Sequence, residues 1–190
     1  MKKQVVLIVF TIGLCLSSYS QEKINISTEK SELKWFGEYA FYFGGHDGII
    51  NISEGHLIRT DNLISGGEFT VDMRSIICND IEDEEANAGL IDHLKNEDFF
   101  AVDHFSKAKL VITRVEYHDD THMKVYADLT IKEITLPIDF QAEVNYETQQ
   151  MTTKFKIDRQ RWKIDYNSKL RDSAIADGIG FEITLSIKAL

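Results

Sequence analysis

Residues 123–144, "MKVYADLTIKEITLPIDFQAEV", decide the fold. Met123, Val125, Ala127, Leu129 and Ile131 alternate with Lys124, Tyr126, Asp128 and Thr130. The pattern breaks at Lys132-Glu133 and resumes with Ile134, Leu136, Ile138, Phe140, Ala142 and Val144. A period of two places each apolar set on one face of a half-buried strand. The same period runs through "MTTKFKI" (151–157) and through "FEITLSIKAL" (181–190), where Phe181, Ile183, Leu185, Ile187 and Ala189 share a face. Further strands are predicted at 32–43, 48–59, 63–76 and 105–117. Turn-forming residues separate them at Gly44-Gly45-His46-Asp47-Gly48, Asp61-Asn62 and Asp119-Asp120. Eight strands at near-regular spacing predict a mainly β chain folded as a barrel or sandwich. Pro137, the single proline, removes a ladder donor and is expected near a strand start, at an edge or at a bulge.

One stretch departs from this rule. Residues 80–96 are acidic and follow a helical spacing, with Leu90, Ile91 and Leu94 on one stripe. Asp80 is read as the N-cap, with Asp83, Glu84 and Glu85 in the first turn and Lys95 in the last, as the helix dipole favours. "HLKNEDFF" (93–100) then closes the segment on two phenylalanines.

The first twenty residues read as an export signal. Lys2 and Lys3 precede an apolar run from Val5 to Leu16, and Ser18-Tyr19-Ser20 supplies small residues for cleavage at Ser20/Gln21. Lipidation at Cys15 is disfavoured by the bulky Leu14 before it. Domain organisation is therefore a signal peptide at 1–20 and one domain at 21–190, with a periplasmic or secreted destination. Loss of Lys2 and Lys3 takes Lys plus Arg from 21 to 19 against 31 acids, a formal charge of −12. That charge opposes binding to nucleic acid or to anionic headgroups. Loss of Cys15 leaves Cys78 alone, which excludes an internal disulfide and a Cys-rich zinc site.

Few motifs carry chemistry. His93 sits at the edge of the helical stripe with no nucleophile nearby in sequence, and reads as a helix-end histidine. His118 and His122 flank two acids in a hairpin turn, which reads as a solvated turn rather than a metal site. His46-Asp47 is a charged turn. A hydrolase would need several of His46, Asp47, His93 and Asp158 to converge. The acidic run lacks the spacing and glycine of a calcium loop. Nucleophile elbow, phosphate loop and dinucleotide fingerprint are all absent. No catalytic residue, metal ligand or cofactor is assigned. Asn25-Ile26-Ser27 and Asn51-Ile52-Ser53 match the glycosylation sequon. The chain places its large side chains on strand faces, and an eight-stranded barrel can just hold one small or slender ligand. Apolar binding is thereby favoured over turnover.

Four segments together, "SGGEFTVDMRSI" (65–76), "HLKNEDFF" (93–100), "ADLTIKEITLPIDF" (127–140) and "KIDRQRWKIDY" (156–166), resemble the YceI-like family over roughly Ser27 to Leu190. The resemblance implies a lipocalin-like, eight-stranded antiparallel β-barrel in the periplasm, holding a polyisoprenoid, a quinone-like lipid or another long amphiphile, without enzymatic activity. Candidates for the lining are Trp35, Phe69, Leu129, Phe140, Phe155 and Phe181, an assignment that depends on strand register, with Phe99 and Phe100 either in the core or on the ligand path. The helix is expected outside the strand wall. Two positions depart from the family pattern: Glu133 stands in place of a glycine, and Ser106 in place of a proline. Alternatives to a carrier are a structural or stress-response barrel with a filled interior, and the hydrolase. The oligomeric state stays open, a dimer included.

Overall fold

The computed structural model describes residues 21–40, 43–164 and 175–188. The expected signal segment and Ala189 lie outside them. The strands are β1 (Gln21–Asn25), β2 (Glu32–Tyr39), β3 (Gly45–Thr60), β4 (Leu63–Cys78), β5 (Lys107–Tyr117), β6 (His122–Ile131), β7 (Ile134–Asn145), β8 (Gln150–Asp158) and β9 (Ile175–Ser186), with helix α1 (Glu84–Lys95) between β4 and β5. All pairings between these strands are antiparallel, in the order β2-β9-β8-β7-β6-β5-β4-β3, and β3 returns to β2 to close an eight-stranded barrel. The ninth strand, β1, pairs with Leu57–Thr60 and His56 of β3, on the edge whose other end pairs with β2. With a single buried residue, Ile24, β1 is too short to show a period.

Antiparallel order sorts the connections onto two ends. Short turns between β3 and β4, β5 and β6, and β7 and β8 lie at one end. At the other lie α1, the 3-10 turn Arg159–Trp162 and the β6–β7 hairpin. The short-turn end is packed solid: Leu57, Ile64, Met123 and Val144, each near a strand terminus there, are fully buried. Tyr117 joins this floor, and its hydroxyl accepts the Ile64 N–H at 2.7 Å. Burial pushes the Tyr117 phenol up to about 12, against the opposing hydrogen bond from Ile64. A phenol that keeps its proton longer in the fold than in the unfolded chain stabilises the fold fully below about pH 10. That contribution drains away as the pH climbs towards about 12. Urea unfolding across this window is expected to show a loss of stability that Tyr117→Phe lacks.

Pro137 meets its expectation. It faces Asp128 of β6, while β8 pairs with β7 only from Ala142 onward. The hairpin closes on Ile131↔Ile134, so alternation makes Asp128↔Pro137 a pair without ladder bonds. The missing N–H therefore points into the gap where β7 and β8 splay. The 3-10 turn stands over that gap. Arg161 donates to the Pro137 carbonyl at 3.3 Å, and the fully buried Trp162 donates from Nε1 to the Leu129 carbonyl at 3.2 Å.

The two departures from the family pattern leave the strands intact. Ser106 accepts the Met73 N–H at 2.9 Å through its carbonyl, which a proline would also offer, and β5 starts at the next residue. In the β6–β7 turn, Lys132 has φ 48° and Glu133 φ 62°. Both sit in the left-handed region, as a two-residue hairpin of this twist demands. Lys132 Nζ bonds the carbonyls of Phe99 at 3.0 Å and Lys163 at 3.3 Å. Glu133 has no such compensation, so Glu133→Gly is expected to raise stability by about 1 kcal/mol, read from the urea midpoint.

Helix α1 differs from its expected start. Asp83, not Asp80, is the N-cap and accepts the Ala86 N–H at 2.8 Å. Asp80 is engaged elsewhere, by Cys78, His46 and the Asp47 backbone. Leu94 is buried, and Leu90 and Ile91 pack beside it, as the stripe predicted. The helix lies over the barrel end rather than along its outer wall: Leu90, His93 and Leu94 border a hollow also bounded by Trp35, Ile76 and Phe181.

Candidate functional site: a hollow apolar interior

Above the packed floor the barrel is hollow. A first cavity of about 100 Å³ lies in mid-barrel. Its exposed lining surface is wholly apolar; Lys109 and Thr153 contribute only carbon. An apolar void of this kind excludes water. By the scale of core cavities it costs on the order of 2 kcal/mol relative to a filled core. A second cavity of about 410 Å³ lies towards the helix end. Ile50, Phe100 and Phe181 border both and form the partition between them.

The expected lining divides between the two spaces. Phe69, Leu129, Phe140 and Phe155 face the first cavity, Trp35 and Phe99 the second, and Phe100 and Phe181 both. Phe140 and Phe155 stack at 4.7 Å between centroids, and Phe181 follows at 5.5 Å, so three neighbouring strands carry one aromatic row. The row fills the wall where β7 and β8 part. Trp35 crosses Gly48 to donate from Nε1 to the Ile77 carbonyl at 3.0 Å. A Cβ on Gly48 would collide with both groups, which is why the strand is bare there. Phe99 and Phe100 meet edge-on at 4.9 Å and are both buried. Core packing and cavity lining are thus the same role for this pair.

The second cavity has a polar rim. Arg159, absent from the residues singled out in the sequence, is buried there. Its guanidinium bonds the carbonyls of Ala176 at 3.2 Å and Ile164, and reaches Asp177 at 3.3 Å. Arg159 and Trp162 belong to the "KIDRQRWKIDY" segment, but no spacing rule marks a 3-10 turn that folds back over a barrel. His46 also borders this space. Its Nε2 lies 2.7 Å from the Tyr39 hydroxyl and its Nδ1 3.0 Å from Asp80 Oδ2. Cys78 donates its thiol proton to Asp80 Oδ1 at 3.0 Å. Burial pushes the Cys78 thiol up, and the neighbouring Asp80 carboxylate adds to the shift. Burial works against the charge of Asp80, but hydrogen bonds from Cys78 and His46 prevail and hold its carboxyl below its ordinary range.

Of the residues a hydrolase would draw on, His46 and His93 both border the second cavity, whereas Asp47 and Asp158 are not among its lining residues. His46 Nδ1 and the Cys78 thiol are each held by the Asp80 carboxylate, one on each oxygen. Asp158 caps the 3-10 turn by accepting the Gln160 N–H at 3.0 Å. His93 packs edge-on to Phe99 at 5.8 Å, with Nδ1 4.0 Å from Asp98. In the β5–β6 turn, His122 bonds the Asp119 carboxylate at 3.0 Å while His118 turns to Gln141 at 3.2 Å, so the two do not converge.

Comparison with known proteins places this geometry. Among solved structures, BcnA of Burkholderia cenocepacia superposes with a TM-score of 0.68 at 17% identity, over 84% of this chain and 98% of that one. A YCEI protein of Campylobacter jejuni superposes with a TM-score of 0.53 at 18% identity, over 100% of both. These likenesses establish the fold. No curated protein matches the sequence. The family model described as the YceI-like domain matches residues 24–189, nearly all of the barrel and its helix. The chain therefore belongs to the YceI-like family.

Proposed function

We propose that this protein binds a long apolar lipid of polyisoprenoid or isoprenoid-quinone type inside the barrel and carries it outside the cytoplasm, without chemical turnover. The observation that carries the reading is the mid-barrel cavity, whose exposed lining is entirely apolar. A slender tail entering from the helix end would pass the Ile50–Phe100–Phe181 partition and stop at the packed floor. Each methylene taken from water contributes about 0.8 kcal/mol. Contacts regained by the half-empty lining add to this. The wider second cavity, with Arg159, Tyr39 and His46 at its rim, suits a polar head better than a tail.

Thermal unfolding with isoprenols of increasing length tests this. The melting temperature is expected to rise with chain length and level off once the cavity is full. No shift at any length would overturn the proposal. Export rests on Lys2, Lys3, the apolar run and Ser18-Tyr19-Ser20. The mature chain, sequenced from its amino end, is expected to begin at or within a few residues of Gln21, and an intact Met1 on exported protein would contradict it.

A further inference from the structure

We infer that His46, Cys78 and Asp80 form a binding site for one borderline-soft divalent transition metal ion, Zn²⁺ being the best fit. Cys78 and Asp80 are two residues apart, and His46 is distant from both in sequence. The β3–β4 register joins them: Gly48 faces Cys78, which sets His46 beside the end of β4 and the residues that follow it. One ligand atom from each lies within 4.8 Å of the others, and this is the only such group among the described residues.

The donor set has the right chemistry. A thiolate, an imidazole and a carboxylate are all zinc ligands, and three protein donors leave a fourth tetrahedral position for water or a bound group. Bond lengths of roughly 2.0–2.3 Å separate tetrahedral ligand atoms by roughly 3.4–3.5 Å. The present 3.0 Å contacts run from Asp80 Oδ2 to His46 Nδ1 and from Asp80 Oδ1 to Cys78 Sγ, hydrogen-bond distances on two different oxygens, and the three ligand atoms lie within 4.8 Å of one another, so a cation needs small side-chain shifts that space them evenly around it. His46 and Asp80 keep about three tenths of their side-chain surface exposed, at 29% and 30%, so they can move and an ion can reach them. One thiolate and one carboxylate balance a dication in this half-buried setting.

Tyr39 supplies the second observation. Metal-bound imidazoles are held by a partner on the other ring nitrogen. The Tyr39 hydroxyl lies 2.7 Å from Nε2, leaving Nδ1 on the side of Asp80 and Cys78. On binding, the Cys78 S–H bond breaks, a sulfur–metal bond forms and one proton passes to water. The neutral imidazole carries its proton on Nε2, where Tyr39 Oη accepts it, and offers the Nδ1 lone pair to the ion. Asp80 exchanges two hydrogen bonds for one metal bond. No redox partner is required, and the site needs no lipid, so its test is independent of the carrier function.

The test is titration of chelator-treated protein with Co²⁺, followed by displacement with Zn²⁺. One equivalent of Co²⁺ is expected to produce a thiolate-to-metal charge-transfer band that Zn²⁺ abolishes. Cys78→Ser is expected to remove the band. His46→Gln, at a half-buried position that does not threaten the fold, is expected to weaken binding at least tenfold. Tyr39→Phe is expected to keep the band and weaken binding about 10–100-fold, as loss of an outer partner does. Absence of the band in the unaltered protein, its survival in Cys78→Ser, or undiminished Co²⁺ affinity in His46→Gln would each overturn the site.

Discussion

Trp162→Ala is expected to cost about 3–5 kcal/mol and to lower the melting temperature by many degrees, the largest loss from any single truncation proposed for this barrel. The indole is fully buried and donates to the Leu129 carbonyl. It stands over the stretch where β7 and β8 do not pair, so its removal opens the wall as well as leaving a void. Arg161, whose guanidinium lies 5.3 Å from the indole ring and bonds the Pro137 carbonyl, would lose its platform in the same step. Equilibrium urea unfolding measures the cost. A loss under about 1 kcal/mol would mean that the 3-10 turn is an ornament on a wall that closes without it.

Leu129→Trp is expected to abolish lipid uptake while leaving stability within about 1 kcal/mol of the parent. Leu129 points into the mid-barrel cavity, and an indole there takes up the space a tail would fill. The bond from Trp162 goes to the backbone of Leu129 and survives the change. In a filled core the same enlargement would cost about 1–3 kcal/mol through overpacking. Binding and urea midpoint, measured together on this variant, therefore separate a hollow barrel from a filled one. Retained binding, or lost stability in a protein that never binds lipid, would favour the structural alternative.

What could be read from the chain follows the range of the forces that decide each feature. Strand faces are local, so Phe140, Phe155 and Phe181 were legible from period two as members of apolar strand faces, while which face turns inward depends on register; the structure stacks the three in one row. The Leu90–Leu94 stripe was legible for the same reason, whereas the cap moved from Asp80 to Asp83 because a distant histidine and a cysteine claim Asp80. The His46–Cys78–Asp80 group depends on strand register across 32 residues of chain, and no spacing rule encodes that. Arg159 stayed hidden because charge normally marks a solvated residue. Here three carbonyl and carboxylate partners make its burial tolerable. The division of the barrel into a solid floor and a hollow upper part was likewise out of reach, since Met123 and Leu129 occupy equivalent places in one alternating pattern and differ only in height along the barrel.

The carrier function is tested most directly by denaturing mass spectrometry of an organic extract from protein purified in its native state without added lipid. The expected result is one long apolar lipid, close to one molecule per chain, that disappears in Leu129→Trp purified in the same way. An extract with no such lipid, from a protein that also fails to take up isoprenoids offered to it, would contradict the carrier and leave the barrel as a structural module.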